Sequence, residues 1–342
     1  MLKRILVDVL FYYDQEQQKT IETRRSRRSA KDAKEIMFIP FERVFASSRF
    51  KMFFVIVART GSIFLIYNRG GIYMKKVLTI AGSDSSGGAG IQADLKAFSA
   101  HGVFGMSVIT AVTAQNTQGV FAVQDIDVAV IDKQIEAIFD DIAVDAVKIG
   151  MVSRTETIKA IANGLKKYNA QNIVVDPVMI SKSGYYLLQP EAVEALISYL
   201  LPLASVVTPN IPEAEEISGL RIHSLKDMEE AAKFIHQLGP KYVLLKGGHR
   251  EDDATDILFD GESYQHLSTP RIATQNTHGT GCTLSAAIAA NLARGYSAQE
   301  AVSRGKEYIH TAIEHSFAIG KGVGPVHHFY NLYKGAGMLN DK

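Results

Sequence analysis

The residues best suited to chemistry lie together in Asn276-Thr277-His278-Gly279-Thr280-Gly281-Cys282-Thr283, a glycine-rich turn that runs straight into an Ala- and Leu-rich segment ending at Leu292. Two glycines around a threonine let the backbone turn sharply, and the small apolar residues after them have the composition of a buried helix. Such a turn delivers a helix N-terminus, where unpaired N–H groups and the positive end of the helix dipole converge, which suits a phosphate or a developing oxyanion. Cys282 falls in the first helical turn, where a thiol of lowered pKa is expected, fit to act as a base or to sit beside transferring charge. By themselves these residues describe equally well a tight loop with Cys282 as a small apolar plug.

Other polar clusters punctuate the chain. Gly82-Ser83-Asp84-Ser85-Ser86-Gly87-Gly88-Ala89-Gly90 precedes a segment carrying Gln92 and Asp94. Its glycine spacing is not that of a dinucleotide fingerprint, and Asp84 puts negative charge where a pyrophosphate would lie, so a loop for a small, neutral, polar molecule fits better. Gln115-Asn116-Thr117 offers amides able to pair with a heteroaromatic ring that has an amino group beside a ring nitrogen; a turn-forming Asn is the plainer alternative. Asp176, Asn210 and Glu213 are oxygen donors of the kind that hold Mg²⁺ through its waters. Asn210 and Glu213, with Pro212 between them, also have the spacing of a helix-capping box. Lys246-Gly247-Gly248-His249 presents a lysine that could reach a phosphate or simply stand in solvent.

The elements that must position these clusters are legible as β-branched runs alternating with amphipathic segments. Strands are expected at Val77–Ala81, Ser107–Ala114, Ala146–Ile149, Asn172–Asp176, Val206–Thr208 and Tyr242–Lys246. Helices are expected at Ile91–His101, Val130–Phe139, Thr155–Tyr168, Pro190–Leu201, Ser224–Leu238, Cys282–Arg294 and Ser297–Phe317. Asp260-Gly261 suggests a hairpin over Asp256–Leu267. This alternation implies an α/β fold with a mostly parallel sheet covered on both faces, whose ligands bind beyond the carboxyl ends of the strands. The polar clusters fall there.

The 342 residues, 46% hydrophobic, suffice for one large α/β domain or two small ones. Residues 1–73 carry 14 basic and 7 acidic side chains, a net of +7, which leaves 23 against 29, a net of −6, for residues 74–342. That body lacks the basic footprint of a nucleic-acid binder. The single cysteine rules out an internal disulfide and fits a reducing, cytoplasmic setting. No apolar run is long enough to span a membrane, and the N-terminus does not show a signal peptide's layout. Residues 1–73, with Arg24, Arg25, Arg27 and Arg28 among aromatic-rich pieces of no sustained period, are expected to be an extension that is either disordered or a mis-assigned start, with Met74 as the true first residue. An intact native mass beginning at Met1 would refute the second.

From Met74 to about Tyr333 the chain resembles the hydroxymethylpyrimidine/phosphomethylpyrimidine kinases of thiamine biosynthesis, in the ribokinase-like superfamily. The match rests on the stretch from Ala81 through Asp94, on Ala114-Gln115-Asn116-Thr117, Lys148-Ile149-Gly150-Met151 and Asp176-Pro177-Val178-Met179, and on Thr208-Pro209-Asn210 with Glu213. Lys246-Gly247-Gly248-His249, Thr277 to Thr283 and Gly324-Pro325-Val326-His327-His328-Phe329 complete it. The resemblance implies a ribokinase-like three-layer sandwich over residues 74–342. It further implies ATP-dependent phosphorylation of a hydroxymethylpyrimidine and then of its monophosphate, with Mg²⁺, in a homodimer.

Carried over residue by residue, the resemblance puts Gln115, Gly82 and Asp94 on the pyrimidine. Gly279, Thr280, Gly281 and Cys282 form the anion hole and the group beside the hydroxyl. Asn210, Lys246 and Asp176 serve ATP, and Glu213 reaches the metal through water. A pyridoxal kinase of the same superfamily is the nearest rival; Gln115-Asn116 favours the aminopyrimidine. A dinucleotide-dependent oxidoreductase would need a glycine pattern and an acidic ribose ligand that the chain does not have. A nucleic-acid-binding protein would rely on the basic arm alone.

Overall fold

Alternate residues of the central strands point into two different cores, as a two-sided sheet requires. Leu78 and Ile80, Val147 and Ile149, Ile173 and Val175, Val207, and Val243 and Leu245 pack on one face. Val77, Ala146, Val174, Val206 and Leu244 pack on the other. The computed structural model describes residues 38–40, 53–57, 63–67, 74–180, 184, 186–248 and 254–339. The chain divides into two units, Met1–Tyr73 and Met74–Lys342.

In the second unit the strands are β1 (Lys76–Asp84), β2 (Phe104–Asn116), β3 (Gly119–Asp125), β4 (Ala146–Ile149), β5 (Ile173–Val175), β6 (Val206–Val207), β7 (Tyr242–Leu245), β8 (Asp256–Phe259) and β9 (Tyr264–Leu267). Among the described residues they form a nine-stranded sheet in the order β9-β8-β7-β6-β5-β4-β1-β2-β3. Strands β7 to β4, β1 and β2 are parallel, whereas β8, β9 and β3 add antiparallel edges. The helices are α1 (Gly90–Ala100), α2 (Val128–Phe139), α3 (Thr155–Lys167), α4 (Ile211–Ser218), α5 (Leu225–Gln237), α6 (Thr280–Ala293), α7 (Ala298–Glu314) and α8 (Tyr330–Gly335), with short helical turns from Pro190–Ala192 to Leu201–Leu203. Side chains of α2 to α5 fill the first core and those of α1, α6 and α7 the second. The fold is the expected three-layer α/β sandwich.

Helix α6 owes its central place to composition: every residue from Thr283 to Ala293 is buried, and small side chains let the sheet, α1 and α7 approach it closely. The segment Pro190–Leu201, expected as one helix, is an uninterrupted helical run to Leu203 whose pitch changes from 3-10 through α and π to 3-10, with Pro202 in its last turn. Strand β3 and helix α8 were not anticipated; β3 alternates poorly because its residues are mostly half-exposed.

In the first unit, Phe38–Pro40, Phe53–Val57 and Ile63–Tyr67 pair as a three-stranded antiparallel sheet. The sequence, without a sustained strand period here, did not anticipate it. The expectation of a disordered or mis-assigned segment otherwise lies outside the described residues, as does His249. Among the described residues no helix is long and apolar enough to cross a membrane.

Candidate active site

The carboxyl ends of β1, β2, β5 and β7 and the N-termini of α4 and α6 surround a cavity of about 1070 Å³. Gly82, Gln115, Asp176, Asn210, Glu213, Lys246 and the turn Gly279 to Cys282 all line it. Asp94 does not.

Gly279 caps α6 with φ at +76°, the left-handed region that glycine enters without penalty, and a Cβ there would run into the Gly88 carbonyl oxygen. The two glycine-rich loops therefore touch, one early and one late in the second unit. The turn is braced from behind: the Gly324 carbonyl accepts a hydrogen bond from the His278 N–H at 3.0 Å, which gives the Gly324-Pro325-Val326 motif a structural purpose. First-turn N–H groups of α6 project toward the cavity, as helix geometry dictates.

Cys282 lines the cavity and is half-buried. The expectation of a lowered thiol pKa is corrected here: burial pushes the thiol up to about 11, despite the opposing charge of Lys148. Desolvation of a thiolate outweighs both the helix dipole and one nearby cation. The resting group is a neutral thiol.

Asp176 sits at the end of β5, 2% exposed. Its Oδ1 accepts from Lys246 Nζ at 2.9 Å and Thr208 Oγ1 at 3.0 Å, while its Oδ2 lies 3.3 Å from Ser285 Oγ, whose hydroxyl hydrogen has closer acceptors in the Gly281 and Cys282 carbonyls. Burial works to raise its pKa, but the charges of Lys246 and Lys148 and these hydrogen bonds hold it below the usual range. For Lys246, burial opposes the charge while Asp176 and Glu213 hold its pKa above the ordinary value. Asn210 caps α4 and Glu213 closes the capping box, with bonds of 2.8 Å and 2.9 Å between each backbone N–H and the other's side chain. Glu213 is nevertheless at the cavity wall, and burial, aided by Asp176 and opposed by Lys246, pushes its carboxyl to about 7. Capping and site membership hold together.

Asp94, expected on the substrate, is corrected by the structure. It is fully buried on α1, and its Oδ2 accepts from Thr79 Oγ1 at 2.6 Å and from Lys148 Nζ at 2.9 Å. Its place in α1 turns it to the sheet rather than to the cavity. Burial works against the Lys148 charge, yet Asp94, Cys282 and Asp176 hold that lysine well above its usual pKa. Sequence reasoning gave Lys148 no role, although a lysine inside the buried run Ala146–Ile149 was a visible signal. It also gave none to His278, whose ring links Asp84 to Gln115.

The chain is similar to known proteins over most of its length. Residues 84–327 match the family model described as phosphomethylpyrimidine kinase. A hydroxymethylpyrimidine/phosphomethylpyrimidine kinase of Rhizobium meliloti is 56% identical over 261 residues, spanning 75% of this chain and 98% of that protein. A thiamine biosynthesis bifunctional protein of Geobacter sulfurreducens is 50% identical over 268 residues, 78% of this chain and 55% of that one. Among solved structures, an ADP complex of Bacillus subtilis pyridoxal kinase superposes with a TM-score of 0.72 at 44% identity, covering 76% of this chain and 99% of that chain.

Proposed function

Because the chain belongs to the phosphomethylpyrimidine kinase family, we propose that it transfers a phosphoryl group from ATP to the 5-hydroxymethyl group of 4-amino-5-hydroxymethyl-2-methylpyrimidine, and a second to the resulting monophosphate, for thiamine biosynthesis. The observation that carries this reading is one cavity with Gln115 on one wall, the Asp176–Lys246 pair on another, and the N-terminus of α6 with Cys282 among its lining residues. The ADP bound by the pyridoxal kinase relative supports a nucleotide as donor.

Gln115 holds the aminopyrimidine edge through both ends of its amide, and Gly82 also lines the cavity. The backbone N–H groups of Gly279 to Cys282, with Thr280, stabilise the phosphoryl group in flight, the protein's main task in this chemistry. Lys246 exchanges Asp176 for a phosphate oxygen, and Asn210 lies at the same wall. Cys282, neutral at pH 7, orients the hydroxyl rather than waiting as a thiolate. A loose transition state asks little of a base, so a neutral partner suffices.

The donor set fits Mg²⁺ only through water. Asp176 is engaged by Thr208 and Lys246, Glu213 by the cap, and no group of three metal-ligating side chains gathers among the described residues. Glu213 and Asn210 would hold the hydration shell of Mg²⁺ arriving with ATP, with Asp176 behind them; the ion supplies neutralising charge at the phosphates.

The same reading places the enzyme in the cytoplasm, without nucleic-acid or membrane partners, as a homodimer. Val112 on β2 and Phe121 on β3, 47% and 67% exposed, offer an apolar edge for a second copy, which light scattering would test. The deciding experiment supplies the full chain with ATP, Mg²⁺ and either the pyrimidine alcohol or pyridoxal, and identifies products by mass. A pyrimidine diphosphate is expected. Phosphorylation of pyridoxal alone would keep the anion hole but overturn the assignment of Gln115.

A further inference from the structure

Asp84 is a fully committed acceptor. Its Oδ1 takes the N–H and hydroxyl of Ser86 at 2.8 and 2.7 Å, and its Oδ2 takes the N–H groups of Gly88 and Ala89 at 3.1 and 2.8 Å. His278 Nε2 lies 2.8 Å from the same Oδ2. A carboxylate already fed by four donors cannot supply a proton, so His278 Nε2 carries the hydrogen and donates it. Burial opposes this charge state, but the His278 and Ser86 hydrogen bonds hold Asp84 down at about 2.

The same ring nitrogen lies 3.3 Å from the Gln115 amide, with Gln115 Nε2 drawn toward it. Two N–H donors facing each other make no hydrogen bond. The other end of the amide has a parallel conflict: Oε1 is drawn 3.2 Å from Thr113 Oγ1, whose hydroxyl hydrogen has a closer acceptor in the Ser83 carbonyl at 3.0 Å. One change resolves both. With the amide turned by half a revolution, Oε1 accepts from His278 Nε2 and Nε2 donates to Thr113 Oγ1.

We infer that His278 is a positioning and specificity-determining residue: locked to Asp84, it fixes the orientation of the Gln115 amide, and thereby selects a ring with an amino group beside a ring nitrogen. The second lone pair of Oε1 and the second hydrogen of Nε2 then meet the ring in one order instead of two. Only one ring orientation satisfies that order, which also sets where the hydroxymethyl arm points. The ring cannot drift, because a Cβ at Gly88 would already run into the imidazole and the His278 backbone is tied to Gly324. Asp84, which looked at first like charge misplaced in a phosphate loop, is the anchor of this device.

The inference rests on the kinase reading, and its test separates the two. Steady-state constants are measured for the full chain with the pyrimidine alcohol and with pyridoxal, for the unsubstituted protein and for His278→Ala, His278→Gln, Gln115→Ala and the His278→Ala/Gln115→Ala double variant. His278→Ala should lower kcat/KM for the pyrimidine by about 10- to 100-fold, the worth of a bidentate pair, with both KM and kcat affected and pyridoxal changed far less. The double variant should be no worse than Gln115→Ala, and His278→Gln, whose amide N–H can replace Nε2–H, should recover most of the preference. Equal losses for both rings, or losses that add in the double variant, would overturn the inference alone. An unsubstituted protein that takes only pyridoxal would overturn the kinase reading and this inference with it.

Discussion

Two lysine–aspartate pairs of the same residue types stand among the central strands of the sheet and do different things. Lys148 to Asp94 and Lys246 to Asp176 both measure 2.9 Å. The first pair has both side chains at 0% exposure, whereas Lys246 is 14% exposed and lines the cavity with Asp176. Lys148 stays sealed because Gly150 leaves it room: a Cβ there would come within 2.6 Å of its Nζ and 3.0 Å of Ala81 Cβ. Residue type set the pairing; depth set the role. A sealed cation can only shape the field around Cys282, while one at the wall can change partners when an anion arrives.

The largest effect separating the pairs should be on stability. Lys148→Ala leaves Asp94 buried without its counter-ion, and removing one partner of a buried pair costs about 3–5 kcal/mol. Urea unfolding of Lys148→Ala and Lys246→Ala should show the deficit mainly in the first, since Asp176 retains the Thr208 hydroxyl and lines the open cavity. Equal deficits would erase the distinction. Between the pairs stands Cys282, whose replacement by Ala should lower kcat about 10²-fold, the cost of a misplaced reacting group, with little change in the pyrimidine KM. Unchanged turnover would take the thiol out of the chemistry. Lys246→Ala should follow, with kcat/KM for ATP down about 10- to 100-fold, as expected for a charge-assisted contact, and the pyrimidine KM unmoved. A defect confined to the pyrimidine would move Lys246 to the other end of the site.

These contrasts also mark what the sequence could and could not reveal. Strands such as Ala146–Ile149 were readable to the residue because both faces are buried and the run is wholly apolar but for one lysine. The glycine turn before α6 was readable because only glycine tolerates the backbone at position 279. Depth was not readable: nothing local distinguishes Asp94, turned to the sheet, from Asp176, turned to the cavity. The thiol of Cys282 went the other way from its expected shift because desolvation comes from elements far away in sequence. His278 and Gln115, 163 positions apart, meet only after the sheet brings the two loops together.

The third contact, His278 to Asp84, is intermediate in cover at 11% and 3% exposed, and should show the smallest and most pH-sensitive effect. Burial raises the Asp84 pKa, but the hydrogen bonds from His278 and Ser86 prevail and bring it from 3.8 to about 2. A depressed folded-state pKa stabilises the protein above the unfolded value and is lost as pH falls through the folded one. The shift corresponds to roughly 2 kcal/mol at neutral pH. Asp84→Asn should therefore unfold about 2 kcal/mol more easily than the parent at pH 7, with the gap narrowing by about half at pH 3. Urea titrations at pH 7, 5 and 3 read this directly. A gap that does not change with pH would mean that Asp84 acts through shape alone, as an acceptor for the Gly88 and Ala89 amides that Asn could partly replace. The His278 contact would then rank with the sealed pair, a fixed feature of the scaffold, and not with the charges that answer to a ligand.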